Sequence, residues 1–362
     1  MTDTADFLNI SPYSLDKLSK RKLLNERIRM LTAHHYNNSD SYKKMMDAVG
    51  LNINNLPEYD ELPFLPVRLF KEFELLSIPK EDIVKTMTSS GTTGQQVSKI
   101  FLDKTTSANQ TKVLAKIVTS FLGNKRIPML IIDSASVIKN RTMFSARGAG
   151  ILGFSFFGLK PVYALDDEMR LNISQIQTFL EENQDTPVFI FGFTFMIWQH
   201  FYKELINSGY KPDLSKGILI HGGGWKKLLS ESVSQDAFKS QLHKLCGIET
   251  KNIHDYYGMV EQTGTIYMEC ENGQLHAPVF SDVLIRRPID FSLASVGEKG
   301  VIQVVSVLPE SYPGHILLTE DEGEILGEDD CPCGRLGKYF RITGRLKNAE
   351  LRGCSDTYAV NF

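Results

Sequence analysis

TMTSSGTTGQQVSKIFLD, from Thr86 to Asp103, is the segment from which the rest of the architecture is predicted. Its centre is a run of small hydroxyl residues and two glycines, which enters the alternating segment Val97 to Asp103. Such a run cannot build a core, but its backbone N–H groups and hydroxyls can surround a phosphate. Its glycines let the backbone approach the anion and adopt positive φ. The predicted phosphate-binding residues are Ser89, Ser90, Gly91, Thr92, Thr93 and Gly94.

The alternative for this segment is a solvated Ser/Thr/Gly turn between two strands. Its order of residues is unusual for an ordinary loop and favours phosphate binding. A P-loop of Walker type is excluded, because no Gly-Lys-Ser/Thr follows the first glycine at the required spacing.

Composition narrows the class of protein. The 362 residues can bury a large core, as one domain with subdomains or as two domains. The net charge of -3 argues against a general nucleic-acid-binding protein. No apolar signal segment is present at the N-terminus, and the longest apolar runs, 149–159 and 187–197, are too short to cross a bilayer. Five cysteines in such a chain indicate reduced thiols and a cytoplasmic location.

The region before the Ser/Thr run, residues 1–85, is predicted to be mostly helical. Ser14 can cap a first helix, and a second helix is expected over 41–49. The apolar face of the first helix is expected at Leu15, Leu18, Leu24, Ile28 and Leu31.

Beyond the Ser/Thr run, helices and strands alternate. Helices are predicted over 105–122, 142–150, 173–182 and 195–208. Strands are predicted over 127–132, 161–164, 187–191 and 217–220, and further on over 281–286, 301–307 and 315–318. The alternation implies βαβ units and a mainly parallel sheet, which binds ligands at the carboxyl ends of its strands.

Two segments directly follow predicted strands. Phe191, Gly192 and Phe193 either line an acyl or aryl pocket or belong to the core, and Gly258 is assigned to the same pocket. The glycines of the other segment allow a flat ligand to lie against the backbone, although they would also make a tight strand-to-helix turn. They are Gly222, Gly223 and Gly224.

A pattern of soft ligands occurs late in the chain. Cys270, His276, Cys331 and Cys333 form C-x5-H followed by C-x-C. Three thiolates and an imidazole suit tetrahedral Zn²⁺, and four protein ligands leave no open position, so the predicted site is structural. The alternative is four unrelated residues in a reduced protein.

The Ser/Thr run resembles the phosphate loop of adenylate-forming enzymes, the acyl- and aryl-CoA ligase superfamily, which reads Ser-Gly-Thr-Thr-Gly-Lys-Pro. Gln95 and Gln96 replace the Lys-Pro pair. The segment Tyr257 to Glu261 is similar to the Tyr-Gly-x-Thr-Glu motif of that superfamily, with Val260 in place of Thr. The resemblance implies that Glu261 holds Mg²⁺ on the phosphates of ATP and that Tyr257 packs near the adenine.

The same resemblance assigns three further positions. The backbone of Gly222 to Gly224 would hold adenine, Asp321 would bond the ribose hydroxyls, and Arg345 would contact ribose or phosphate. Lys347 matches the hinge, and only fifteen residues follow it, so the mobile C-terminal domain of most relatives is expected to be missing. The segments before the phosphate loop, and the Cys/His pattern, are similar to those of phenylacetate–CoA ligases.

The tail contains Cys354, which follows a glycine and lies near Arg352. A mobile thiol can attack a mixed anhydride, although a strand-edge cysteine without chemistry is the alternative. The whole chain resembles the acyl-protein synthetases of bacterial bioluminescence fatty-acid reductase complexes. That resemblance implies transfer of a fatty acyl group from acyl-AMP to Cys354 and then to a reductase. Cys246 lies in a helix-like segment, 242–246, with the composition of a core.

These inferences combine into one prediction. The expected fold is α/β, that of the N-terminal domain of adenylate-forming enzymes, with mainly parallel sheets flanked by helices and a smaller β subdomain. The predicted regions are a helical N-terminal region over 1–85 and an α/β core with the phosphate loop over 86–262. A zinc-bearing, β-rich subdomain over 263–347 and a short tail with a cysteine over 348–362 follow. ATP, Mg²⁺ and structural Zn²⁺ are the expected cofactors. A fatty acid is the expected substrate, and the partner is an acyl-accepting reductase or carrier protein in an oligomer or complex.

Two alternatives stay open at this stage. One is an aryl or acyl adenylase that donates to a carrier protein or CoA in polysaccharide or secondary metabolism. The other is a non-catalytic scaffold that binds acyl-adenylate. It is favoured by Gln95, by Val260 and by the expected lack of the mobile C-terminal domain.

Overall fold

The chain is described by a computed structural model over residues 4–89, 97–139, 146–225 and 231–346. Its centre is a twelve-stranded mixed sheet, accompanied by a separate two-stranded hairpin. The strands are β1 Leu65–Pro66, β2 Lys85–Thr88, β3 Lys99–Leu102, β4 Ile127–Ser134, β5 Gly158–Leu165, β6 Val188–Phe193, β7 Gly217–Gly222, β8 Ile253–Tyr257, β9 Tyr267–Glu269, β10 Leu275–His276, β11 Ser281–Arg286, β12 Gly300–Ser306, β13 Ile316–Glu328 and β14 Lys338–Arg345.

The large sheet has a parallel half and an antiparallel half. Its order is β11-β12-β13-β14-β10-β9-β8-β7-β6-β4-β5, with β1 parallel to β13, while β2 and β3 form the hairpin. Strands β5, β4, β6, β7 and β8 pair in parallel, and from β8 to β11 the pairs are antiparallel. The predicted α/β fold is confirmed, and its β-rich part continues the same sheet.

Helices cover both faces of the parallel half. The α-helices are Thr4–Phe7, Lys17–Asn38, Asp40–Ala48, Leu69–Glu72, Lys104–Leu122, Ser136–Lys139, Ala146–Ser155, Ile173–Glu182, Thr194–Met196, Lys203–Ser208 and Gln235–Cys246. Ile197–Tyr202 is a π-helical turn that joins two of them, and short 3-10 helices lie at Lys80–Asp82, Thr250–Asn252 and Val260–Gln262. None of the helices in the described ranges has the length and apolarity that a bilayer crossing requires.

Most predicted elements are present, and the helix over 173–182 matches to the residue. The first long helix differs, because Asp16 and not Ser14 is its cap: the Asp16 side chain accepts the backbone N–H of Ser19. Leu18, predicted on the apolar face, is 77% exposed, whereas Leu24 is buried. With 3.6 residues per turn, Leu18 lies about 120° around the helix from Leu24, and this places it on the solvent side.

Two strands run further than predicted. Strand β6 continues through Gly192 and Phe193, past the predicted end at Phe191, because β7 pairs with it as far as Phe193. Strand β13 continues past Leu318 to Glu328 and contains Asp321, which was expected at the strand end. Neighbours on both sides explain this extension, because β12 and β14 pair with the acidic stretch of β13 and satisfy its backbone.

A buried histidine pair joins the first long helix to β13. His35 bonds Ser77 Oγ (2.7 Å) through Nδ1 and the carbonyl of Pro309 (3.1 Å) through Nε2. The His315 ring lies 4.7 Å from that of His35, and its Nε2 bonds Thr32 Oγ1 at 3.0 Å. Burial lowers the pKa of His35 well below its usual value and that of His315 to about 3. Both rings are therefore neutral in the folded protein near neutral pH.

Protonation of these rings favours the unfolded chain, in which their pKa is about 6.5. We expect stability to be full above pH 6.5 and to fall as pH drops below it, by about 1.4 kcal/mol per pH unit for each ring. Urea unfolding at pH 7.5, 6 and 5 measures this slope, and His315→Gln should reduce it. Equal free energies of unfolding at pH 7.5 and 5 would show that burial of the pair has no such effect.

Candidate active site

The glycine segment lies at the carboxyl end of the parallel strands. Gly222 ends β7 and pairs with Tyr256 of β8, and a Cβ at Gly222 would overlap the Tyr256 ring. Gly223 has φ +80°, and a Cβ there would lie 3.2 Å from the Phe193 ring, whereas a Cβ at Gly224 would meet nothing within 4 Å. A bare backbone therefore leaves the sheet at the edge where α/β proteins bind ligands.

A tyrosine, an aspartate and an arginine from three strands meet beside that edge. Tyr257, the last residue of β8, donates its hydroxyl hydrogen bond to Asp321 Oδ2 at 2.8 Å. Arg345, the last residue of β14, pairs with Asp321 in register and places Nε 2.9 Å from Asp321 Oδ1. Burial raises the pKa of Tyr257 well above its usual value, so its phenol stays protonated and donates. The Asp321 carboxylate thus orients a phenol and a guanidinium toward one place.

The backbone around Asp321 is fixed by its own neighbours. The N–H of Asp321 donates to Thr319 Oγ1 at 3.1 Å, and that hydroxyl donates to the carbonyl of Ile302 at 2.8 Å. Leu346 N–H donates to the carbonyl of Glu320 at 3.0 Å, which holds the chain through the last described position. Lys347, the predicted hinge residue, lies outside the described residues.

Glu261 lies in the turn that follows β8. The turn, Val260–Gln262, is held by the Tyr312 hydroxyl, which donates to the carbonyl of Glu261 at 3.0 Å. The residue is 6% exposed, and burial raises the pKa of its carboxyl above the usual 4.5, while Ser98 beside it acts in the opposite direction. A buried carboxylate of this kind gains stability from a nearby cation, as the Mg²⁺ prediction requires.

The hairpin of β2 and β3 carries the predicted phosphate loop. Ser89 N–H donates to the carbonyl of Ser98 at 3.1 Å, and Ser98 N–H donates to Ser89 Oγ at 2.9 Å, so these two residues close the stem. Ser98 lies beside Glu261, so the stem of the hairpin reaches that carboxylate. Ser90, Gly91, Thr92, Thr93 and Gly94 lie outside the described residues.

Three of the four residues assigned to the acyl pocket lie in the core of the sheet, namely Phe191, Gly192 and Phe193. Phe191 stacks on Phe154 at 4.3 Å between ring centroids, and Phe193 meets Phe191 edge-on at 5.9 Å. Gly192 faces the opposite side, where a Cβ would lie 2.9 Å from Ile197 Cγ1. Both phenylalanines are at most 2% exposed, because β4 and β7 flank β6 and helices cover its faces.

Gly258 lies between β8 and the Glu261 turn. A Cβ at Gly258 would lie 3.0 Å from Ile266 Cγ2, so a side chain at this position would press on its neighbour. Its assignment to an acyl pocket stays a prediction.

The four predicted zinc ligands come together, although 63 positions separate the first from the last. We name Cys270, His276, Cys331 and Cys333 the Cys3His cluster; their ligand atoms all lie within 4.8 Å of one another. Sγ of Cys270 and Cys331 are 3.9 Å apart, and His276 Nε2 is 3.4 Å from Cys333 Sγ. Burial lowers the pKa of His276 to about 4, so the ring is neutral and can offer a lone pair.

Two glycine turns present the cluster thiols. Gly273 (φ +76°) donates its N–H to the carbonyl of Cys270, and Gly334 (φ +78°) donates to that of Cys331, both at 3.0 Å. Each turn therefore aims a thiol at the same point. The chemistry and spacing of the donor set fit tetrahedral Zn²⁺.

Sequence reasoning missed two acidic groups at the carboxyl edge. Asp255 pairs with His221 of β7, with Oδ1 3.7 Å from His221 Nδ1, and its place two residues before Tyr257 was the available signal. Asp133, near the end of β4, forms a buried ion pair with Arg147 at 3.2 Å, and burial raises the Asp133 pKa to about 6. No sequence pattern links residues 133 and 147.

Comparisons with known proteins show that the chain is similar to acyl-protein synthetases and to coenzyme A ligases. The family described as "Acyl-protein synthetase, LuxE" matches residues 3–362. A long-chain-fatty-acid–luciferin-component ligase of Aliivibrio fischeri is 23% identical over 356 residues, which cover 93% of this chain and 88% of the relative. A phenylacetate–coenzyme A ligase of Thermus thermophilus is 22% identical over 342 residues, which cover 89% of this chain and 69% of the relative.

Solved structures agree on the fold. An open conformation of 2-hydroxyisobutyryl-CoA ligase, crystallised with its acyl-adenylate and CoA, superposes with a TM-score of 0.69 at 13% identity. The similarity covers 93% of this chain and 77% of that protein. The predicted fold of adenylate-forming enzymes is thereby confirmed.

Proposed function

The chain belongs to the acyl-protein synthetase family, LuxE, a family of ligases, and on that premise we propose that it activates a fatty acid with ATP and carries the acyl group on Cys354. The observation that supports this best is the meeting of Tyr257, Asp321 and Arg345 beside the bare glycine backbone. These residues come from separate strands, yet they form one site with the chemistry for ribose and phosphate.

The first step is adenylation. A carboxylate oxygen of the fatty acid attacks the α-phosphorus of ATP, an acyl-AMP forms and pyrophosphate leaves. Arg345 stabilises the charge that develops on the phosphate, Asp321 holds the ribose and the Tyr257 phenol, and the loop from Ser89 cradles the leaving phosphates. Glu261 would hold Mg²⁺, which supplies positive charge to those phosphates when bound.

The second step is capture by a thiol. The Cys354 thiolate attacks the acyl carbon, the bond to AMP breaks, and AMP leaves with the former carboxylate oxygen. Activation precedes capture because a free carboxylate is a poor acyl donor. The thioester then serves a partner, a reductase or a carrier protein, in an oligomer or complex. Cys354 lies outside the described residues, so its role is argued from the sequence.

A fatty-acid-dependent exchange of pyrophosphate into ATP tests the adenylation step. We expect exchange by the unchanged protein, and a loss of about a hundredfold in Asp321→Asn, because the amide no longer pairs with Arg345. Glu322→Gln is the matched control, since it removes the next carboxylate along β13. Full exchange by Asp321→Asn, or no exchange by the unchanged protein with any fatty acid, would count against the proposal; the second result favours a scaffold.

A second candidate function keeps the first step and changes the acceptor. It is favoured by the relative named as a phenylacetate–coenzyme A ligase. Under this candidate the acyl group ends on CoA or a carrier protein, and none stays on the chain. The product thioester therefore separates the two functions.

We also propose that the Cys3His cluster holds a structural Zn²⁺. Metal analysis of purified protein is expected to give one zinc per chain, and Cys331→Ser should lose it together with thermal stability, since such sites contribute directly to folding. Cys246→Ser is the control, because Cys246 is buried in the helix Gln235–Cys246 away from the cluster. Protein that folds and melts normally without metal would rule out a structural zinc.

A further inference from the structure

Glu269 occupies the position between the Cys3His cluster and the nucleotide-binding strand β8. It ends β9, which pairs with β8, and Cys270 follows it directly in the chain. Its side chain is fully buried. Glu269 therefore belongs to the β8–β9 strand pair and directly adjoins the Cys3His cluster.

The Glu269 side chain holds the end of β8 through an unusual bond. Oε2 accepts the backbone N–H of Asp255 at 2.8 Å, so a carboxylate replaces a ladder carbonyl at that place. Oε1 accepts from Lys239 Nζ at 2.7 Å and from Gln235 Nε2 at 2.6 Å, which ties the strand to the helix Gln235–Cys246. The carbonyl of Glu269 meets His254 Nδ1 at 2.9 Å.

A second chain of contacts leads from the other side of the cluster to the same place. Arg335 N–H donates to Cys333 Sγ at 3.5 Å, and its guanidinium lies 4.4 Å above the Phe121 ring. The Phe121 and His254 rings meet edge to face, with their centroids 4.9 Å apart. Both routes from the cluster therefore converge on His254 and Glu269. In β8, His254 lies one residue before Asp255 and three before Tyr257.

We infer that Glu269 is a positioning residue that couples the Cys3His cluster to the nucleotide site. Cys270 would hold the metal together with the other cluster residues, and it directly follows Glu269 in the chain. The Glu269 carboxylate fixes the Asp255 backbone, which sets the position of Tyr257. The inference names the device that aligns the proposed ATP site, and it rests on the proposed function for the identity of the nucleotide and for the metal at the cluster.

Glu269→Gln separates this role from simple packing. Glutamine has nearly the same volume, but one of its two terminal groups is an NH₂ that cannot accept from Lys239 or Asp255. We expect the KM for ATP to rise about tenfold, as for lost outer-shell partners of a metal site, with the KM for fatty acid unchanged. Glu324→Gln is the matched control, because Glu324 is also buried and ion-paired, with Arg341, but does not touch β8.

Hydrogen exchange of the segment 253–257 tests the coupling without ATP. In the unchanged protein, loading metal-stripped chains with Zn²⁺ should slow exchange of the Asp255 amide, and in Glu269→Gln it should not. Slowing of equal size in Glu269→Gln, or no slowing in the unchanged protein, would overturn the inference. Because this measurement needs no nucleotide, its failure is distinct from a failure of pyrophosphate exchange, which bears on the proposed function alone.

Discussion

Replacing Cys354 by serine is expected to leave no acyl group on the protein after incubation with ATP, Mg²⁺ and a radiolabelled fatty acid. A serine hydroxyl is not ionised near neutral pH and has no base assigned beside it, so it cannot capture the acyl carbon as a thiolate does. The unchanged protein should carry a label that hydroxylamine removes, as it removes a thioester. Pyrophosphate exchange should persist in Cys354→Ser, because adenylation precedes the thiol.

The matched control is Cys246→Ser. Burial raises the pKa of the Cys246 thiol to about 12, so that thiol is not a nucleophile in the folded protein, and the label should remain. A labelled Cys354→Ser variant would show that another residue receives the acyl group. If the unchanged protein catalyses pyrophosphate exchange but carries no labelled acyl group, the result would favour a free acceptor such as CoA.

Glu261→Gln is expected to lower pyrophosphate exchange by about a hundredfold and to raise the Mg²⁺ concentration that gives half-maximal exchange. Glutamine keeps the size of the side chain but removes the charge that attracts a divalent cation. Because Glu261 is 6% exposed and its pKa is raised by burial, losing the charge should not cost stability.

The Mg²⁺ dependence is the diagnostic part of that result. A thermal melt close to that of the unchanged protein serves as the folding control. If Glu261→Gln kept the Mg²⁺ dependence of the unchanged protein, Glu261 would not be a ligand of the metal, even if the rate of exchange fell.

Local sequence patterns were sufficient for most of the fold. The helix over 173–182 was predicted to the residue, and in the structure Asn172 caps this amphipathic run. Strand ends were less predictable, since β6 and β13 continue only as far as their partners allow. The acidic stretch of β13 reads as a turn in isolation, and neighbouring strands on both sides make it a strand.

The residues of the candidate site also differ in whether the sequence could identify them. Residues inside a contiguous motif, such as Tyr257 and Glu261, could be assigned from the resemblance. Glu269 could not, because its partners Lys239, Gln235 and Asp255 come from a helix and a second strand and share no motif with it. Contacts of this kind depend on how distant segments pack, and a single sequence does not record that.

In the proposed mechanism, ATP activates the acid by transfer of AMP to its carboxylate. This step leaves an isotopic record. It is tested most directly with a fatty acid that carries ¹⁸O in both carboxylate oxygens, incubated with ATP and the protein for a single turnover. Attack of a carboxylate oxygen on the α-phosphorus, followed by thiolysis at the acyl carbon, predicts AMP with one ¹⁸O and pyrophosphate with none. Release of ADP with ¹⁸O in inorganic phosphate would mean an acyl phosphate, and would contradict the proposed mechanism.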